Sequence, residues 1–143
     1  MAQFVKLDPA KLTPLRQIDE RLVAYNVEMT EVTGGTFWTR YTDAQVDGTE
    51  EFPVISDWRD MGKLQQWYEP IDLYNPRLRK LARDLGTAWV RVSGTWANKT
   101  YYDLENKYNG KAPEGYQNIL SREQWIGVLD FVKDIGGKLL VSM

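Results

Sequence analysis

Twice in its second half the chain closes an amphipathic helix on glycine and turns at once into an apolar strand. Asn75 is a good N-cap and Pro76 suits the first helical position. Leu78, Leu81, Ala82 and Leu85 follow at helical spacing, and Gly86 stops the helix. The segment AWVRVSG, 88–94, then reads as a strand in which Val90 and Val92 alternate with Trp89 and Arg91. Ser121 caps a second helix, and Gln124 three residues on completes a capping box. Its apolar face is expected from Trp125, Val128, Leu129, Val132 and Ile135. Gly136-Gly137 end it, and KLLVSM, 138–143, is a last apolar strand. Upstream, RLVAYNVEM, 21–29, has the β-branched and aromatic content of a buried strand.

Strands alternating with helices imply βαβ units and a parallel sheet. Such a sheet needs both faces covered, yet two helices cover only one face of three strands. The other face is expected to expose apolar side chains. The pattern reads as an arc cut from a larger α/β structure. A (β/α)8 TIM barrel takes roughly 250 residues, so this chain corresponds to its first three β/α units. Residues 3–7 (QFVKL) read as a separate short strand, and residues 8–16, with Pro9 and Pro14, as an extended connection. Residues 30–70 and 95–120 read as long loops, marked by Gly34-Gly35, Asn109-Gly110 and Pro113.

The length of 143 residues suits one domain with a core of ordinary size. A net charge of -2, with no basic stripe, argues against a nucleic-acid partner. The chain has no Cys and no His, which removes disulfides, thiolate and imidazole metal ligands, and every triad with a His base. No apolar run approaches the roughly 20 residues of a membrane span. The opening MAQFVKLDPAKL carries no apolar signal region. Phosphate-loop and dinucleotide glycine patterns are absent: GGTFW lacks the Lys and helix of the first, and SGTW lacks the further glycines of the second.

In a β/α barrel, function sits at the C-terminal ends of the strands. Here those ends carry Asn26, Glu28 and Glu31, then Ser93-Gly94-Thr95, Trp96 and Asn98. Two carboxylates flanking a glycosidic bond are what sugar hydrolysis needs. Glu31 reads more simply as an acidic strand end facing water or pairing with Arg; Glu28 stays open between that and a ligand contact. Ser93-Gly94-Thr95 offers backbone N–H groups to a ligand, or is a plain turn. Trp96 and Trp38 present flat apolar faces suited to a sugar ring, or to packing. Asn98-Lys99-Thr100 matches the N-glycosylation acceptor pattern.

Three segments, DERLVAYNVEMTEVTGGTFW, NPRLRKLARDLGTAWVRVSGTWANKTYY and LSREQWIGVLDFVKDIGGKLLVSM, resemble the N-terminal part of glycoside hydrolase family 79. That family holds β-glucuronidases and heparanase-like enzymes. The resemblance runs from Ile18 to Met143, strongest at LARDLGTAWVRVSGTWAN and weakest through 42–72. It implies a TIM barrel with an accessory β-sandwich. Residues 1–17 would then give a strand to the sandwich, and residues 18–143 the N-terminal arc of the barrel.

The same resemblance implies retaining hydrolysis of β-linked glucuronic acid without metal or organic cofactor. The acid would come from an Asn-Glu pair after strand four and the nucleophile from a Glu after strand seven. Neither is in this chain, and Glu105-Asn106 is reversed and lies too early, so no catalytic residue is assigned. Carried over are the substrate-contacting positions. Glu28 stands where the family places an acidic residue, Asp in some relatives. Gly94 and Thr95 match a Gly-Thr whose backbone lies against the uronate. Trp96 and Asn98 continue that loop, and Asn26 is a further candidate.

The implied partners are a glucuronic-acid-containing glycan and a complementary polypeptide carrying the rest of the barrel, in a secreted or periplasmic setting. The competing readings are a stand-alone, non-catalytic carbohydrate-binding α/β module and a designed or split fragment.

Overall fold

A computed structural model describes residues 8–142; the strand expected at 3–7 lies outside them. In chain order the elements are β1 (Val23–Glu28), α1 (Met29–Thr33), β2 (Gly35–Trp38), α2 (Asp43–Val46), β3 (Gln65–Tyr68), α3 (Pro76–Asp84), β4 (Ala88–Ser93), β5 (Thr100–Asp103), β6 (Asn118–Ser121), α4 (Arg122–Asp134) and β7 (Lys138–Val141). Short 3-10 turns span Pro9–Lys11, Trp58–Leu64 and Ala97–Lys99. Among the described residues the fold is mixed α/β with three sheets.

The central sheet holds β1, β4 and β7, all parallel and ordered as they follow in the chain. Register places Tyr25, Val90 and Leu139 in one row and Val27, Val92 and Val141 in the next. These rows share one face because strand side chains alternate. Against that face α4 lays Val128, Phe131 and Val132, with Ile135 at its end, and Met29 and Leu120 complete the buried cluster. The start of α4 is fixed as the capping box requires. Ser121 Oγ accepts from Gln124 N at 3.2 Å, and Gln124 Oε1 accepts from Ser121 N at 2.9 Å. Asn75 caps α3 by accepting from Arg77 N at 2.9 Å and Leu78 N at 3.3 Å.

Expectations of three kinds need correction, the first about the faces of the two helices. Leu129 does not belong to the buried stripe of α4: it is 44% exposed, and Phe131 takes the buried place. On α3 only Ala82 is buried, with Leu78 packed at the margin, while Leu81 and Leu85 face out. The reason is that α3 meets α4 through charge. Asp134 accepts from Arg83 Nη1 at 2.7 Å and from Arg79 Nη1 at 3.2 Å.

The second correction concerns the uncovered sheet face, which is largely polar. Its rows hold Ala24, Trp89 and Lys138, then Asn26, Arg91 and Leu140, then Glu28 and Ser93. Arg91 Nη1 donates to Asn26 Oδ1 at 2.8 Å, and Lys138 Nζ lies 5.0 Å from the Trp89 ring centre. Leu140 is the large apolar side chain this face leaves exposed among the described residues.

The third correction concerns the two long loops. Residues 30–70 contain all but the first residue of α1, then α2 and the antiparallel pair β2–β3, in which Gly35 faces Tyr68 and Trp38 faces Gln65. Residues 95–120 contain the parallel pair β5–β6, in which Thr100 faces Asn118. Four-residue strands are too short to show a period, and their partners lie far along the chain. Among the described residues no helix is long and apolar enough to cross a membrane.

Candidate functional site

The C-terminal ends of β1 and β4 are neighbours, so residues 65 positions apart meet there. Glu28 closes β1 opposite Ser93, the last residue of β4. The chain leaves β4 through Gly94, whose φ of +97° is a region L side chains rarely adopt. A Cβ built on Gly94 would lie 1.7 Å from Glu28 Oε2 and 1.9 Å from its Cδ. The Glu28 carboxylate therefore fills the space that glycine leaves open. Its Oε1 accepts from the Trp96 backbone N–H at 3.3 Å. Ser93 is fully buried, and its Oγ has no hydrogen-bond partner among the described residues.

The structure thus brings Glu28, Gly94 and Trp96 together. The backbone N–H of Trp96, which continues the Gly94-Thr95 loop expected to lie against a uronate, is engaged by Glu28. Thr95 is exposed beside this contact. Asn26 lies two residues back on β1, held by Arg91, a partner that no sequence motif announced. Asn98 is exposed on the turn Ala97–Lys99 and borders a separate hollow with Tyr101 and Tyr116. The hydroxyl of Thr100, in the same N-glycosylation pattern, is buried and donates to Trp96 O at 2.8 Å.

Glu31 has a local task. Its Oε2 accepts from Glu28 N at 2.8 Å at the start of α1, so it neither pairs with Arg nor faces Glu28 across an open gap. Trp38 and Trp96 do not share a site. Trp38 lines a groove of about 670 Å³ with Phe37, Arg40, Tyr41, Phe52 and Lys63. Trp96 lines a smaller cavity of about 370 Å³ whose other walls include Trp67, Thr30 and Asn118. Lys99 Nζ sits 4.8 Å from the Trp96 ring centre.

One further contact holds this rim. Tyr102 donates its hydroxyl to Ser142 O at 2.9 Å, fixing the exit of β7. Burial pushes the Tyr102 phenol above its ordinary pKa, further toward the neutral form that donates. Among the described residues no three Asp or Glu gather as a metal site. Sequence reasoning missed Thr30, Trp67 and Asn118, because they come from segments read as loop. The one available signal was the doubled glycine 34–35, which marks a close backbone approach. In comparisons with protein-family models, curated proteins and solved structures, nothing matches this chain.

Proposed function

We propose that the chain is the N-terminal arc of a retaining, family-79-like glycoside hydrolase that cleaves β-linked glucuronic acid. In this reading it is the first three β/α units of a TIM barrel and supplies part of the substrate wall. The catalytic carboxylates come from a complementary polypeptide. Carrying this reading is the polar row at the strand ends: Asn26 bonded to Arg91, then Glu28 seated on Gly94. A barrel puts its ligand at that end of its strands. Arg91 adds a cation suited to a uronate. Neither outer strand, β1 nor β7, has a second neighbour among the described residues, so both edges are open to further strands.

The polar uncovered face supports a second reading, a stand-alone, non-catalytic carbohydrate-binding module. A face of Arg, Asn, Lys and Glu tolerates water and does not need a partner to cover it.

The test is a chromogenic β-glucuronide assay on the lone chain, and on the chain mixed with a polypeptide carrying the remaining barrel strands. Retaining chemistry needs two carboxyl groups about 5–5.5 Å apart across the bond, so the lone chain should show no turnover and the mixture should. Turnover by the lone chain refutes the arc. A monomer in sedimentation that binds a glucuronide yet never gains activity selects the module.

A further inference from the structure

We infer that the cavity between α1, β3 and the start of β6 is a binding site for an uncharged sugar ring, beside the strand-end row proposed above to meet a uronate and joined to it through Trp96, whose N–H Glu28 holds. Its volume of about 370 Å³ lies in the range of small-molecule sites. Two indoles, Trp67 and Trp96, stand in its walls together with Gln117, Asn118 and Thr30. Trp67 is 58% exposed, an unusual place for the largest side chain unless something covers it. Among the described residues no Asp, Glu, Lys or Arg lines the cavity. Flat apolar faces beside amide and hydroxyl groups match a neutral polyol ring, whose faces are C–H and whose edges are O–H. A carboxylate there would lose water and meet no cation in the lining; Lys99 stands outside it, its Nζ 4.8 Å from the Trp96 ring centre.

Thr30 stands in the same wall. It is 2% exposed, yet its Oγ1 has no hydrogen-bond partner among the described residues. A buried hydroxyl without a partner is a cost to the fold that a ligand can relieve. A 120° turn about χ1 puts the Thr30 hydroxyl where its methyl stands and the methyl where the β-hydrogen stands, so a staggered rotamer can turn the hydroxyl to a ligand in the cavity. Its neighbours are rigid. Asn118 Nδ2 donates to Thr33 Oγ1 at 2.6 Å and to Gly34 O at 2.9 Å, and its Oδ1 accepts from Ile119 N at 2.9 Å. The Asn118 carboxamide is therefore locked in one orientation, with one oxygen lone pair left over. Gly35 keeps the wall thin. A Cβ there would lie 3.2 Å from Thr30 Cγ2 and 3.5 Å from Asn118 Nδ2, at a φ of +145°.

The experiment is an NMR titration of the isotope-labelled chain with methyl β-D-glucopyranoside and, separately, with methyl β-D-glucuronide. The six Trp indole N–H signals are the readout. The neutral glycoside should move the Trp67 and Trp96 signals, and the glucuronide should bind there at least about tenfold more weakly. Thr30→Val keeps shape and removes the hydroxyl. It should weaken neutral-sugar binding by about fivefold or more while the melting temperature stays level or rises, because an unsatisfied polar group is gone. Trp67→Ala, at an exposed site, should abolish the shift of Trp96 without unfolding the chain. Absence of any indole shift, equal binding of the glucuronide, or wild-type binding by a folded Thr30→Val each overturns the inference.

Discussion

The carboxylate of Glu28 lies where a side chain on Gly94 would have to be, 1.7 Å from the Cβ that glycine lacks. One residue ends β1 and the other follows β4, so the strand register decides that they meet. Gly94→Ala must therefore expel the carboxylate from the Trp96 N–H and also hold Ala at a φ of +97°. The backbone strain alone costs about 1–3 kcal/mol. Combining it with Glu28→Ala removes the clash and leaves the strain, so the two substitutions should couple by about 0.5–3 kcal/mol. Urea unfolding of the two single variants and the double variant measures it. Strict additivity would show that the carboxylate does not occupy that space.

Glu28→Gln tests the same contact for function. Gln keeps an acceptor oxygen for Trp96 N, so the fold should persist. In the assembled barrel the variant loses a charged acceptor for a sugar hydroxyl. Such a bond is worth about 1.5–3 kcal/mol, so kcat/KM on a β-glucuronide should fall about tenfold to a hundredfold. Thr95→Ala should do less, because the exposed Thr95 is proposed to contact substrate through its backbone. An unaffected Glu28→Gln would confine Glu28 to holding the β4 exit.

Packing on α4 gives a contrast that periodicity alone assigned the wrong way. Phe131 is buried against the sheet, and Leu129 is 44% exposed. Phe131→Ala should cost about 3–5 kcal/mol and Leu129→Ala well under the roughly 2 kcal/mol of a core leucine. Ser121→Ala, which deletes the cap, should cost about 1 kcal/mol. Thermal unfolding of the three variants ranks them. Leu129→Ala as harmful as Phe131→Ala would place Leu129 in a packed interface.

That contrast shows where the sequence was legible. Caps and glycine stops placed α3, α4 and their strands to within a residue or two, because those signals are local. Asn75, Ser121 and Gly86 act within one turn. What a helix packs against is not local. The i, i+4 leucines 81 and 85 of α3 matched a buried face, but the partner helix offers Asp134 to two arginines there instead. The β2–β3 pair stayed hidden because Gly35 and Tyr68 are joined only through a long intervening segment. At the candidate site, the residue types at 26, 28 and 94–96 were visible. Their mutual contacts depended on register, which no single strand encodes.

Asp134 deserves its own variant. Arg79 is mostly buried, stacked 4.9 Å from the Tyr74 ring centre, and its Nε donates to Leu73 O at 2.7 Å. Asp134→Asn removes its counter-charge and should cost about 1.5–3 kcal/mol. Arg83→Ala removes the more exposed arm and should cost less than about 1 kcal/mol. Equal effects in urea unfolding would mean that the α3–α4 contact does not run through Arg79.

Glu123 makes the stability of α4 depend on acid. It sits in the first turn of the helix, where its own backbone N–H, then the Ser121 hydroxyl and then the Asn106 amide, at 3.4 Å, favour the charged carboxylate. These contacts hold its pKa below the ordinary glutamate value. A carboxyl depressed in the folded state stabilises the fold above its unfolded pKa, and that contribution disappears as pH falls through the folded value. Glu123→Gln keeps the length and removes the charge. At neutral pH the wild type should therefore melt above the variant. The gap should hold down to the ordinary glutamate range, shrink as the pH drops further, and close once Glu123 is protonated in the folded chain. Melting temperatures of both proteins across that acid range measure the gap directly. A gap that is absent at neutral pH, or that widens with acid, would show that the helix start does not draw on the Glu123 charge.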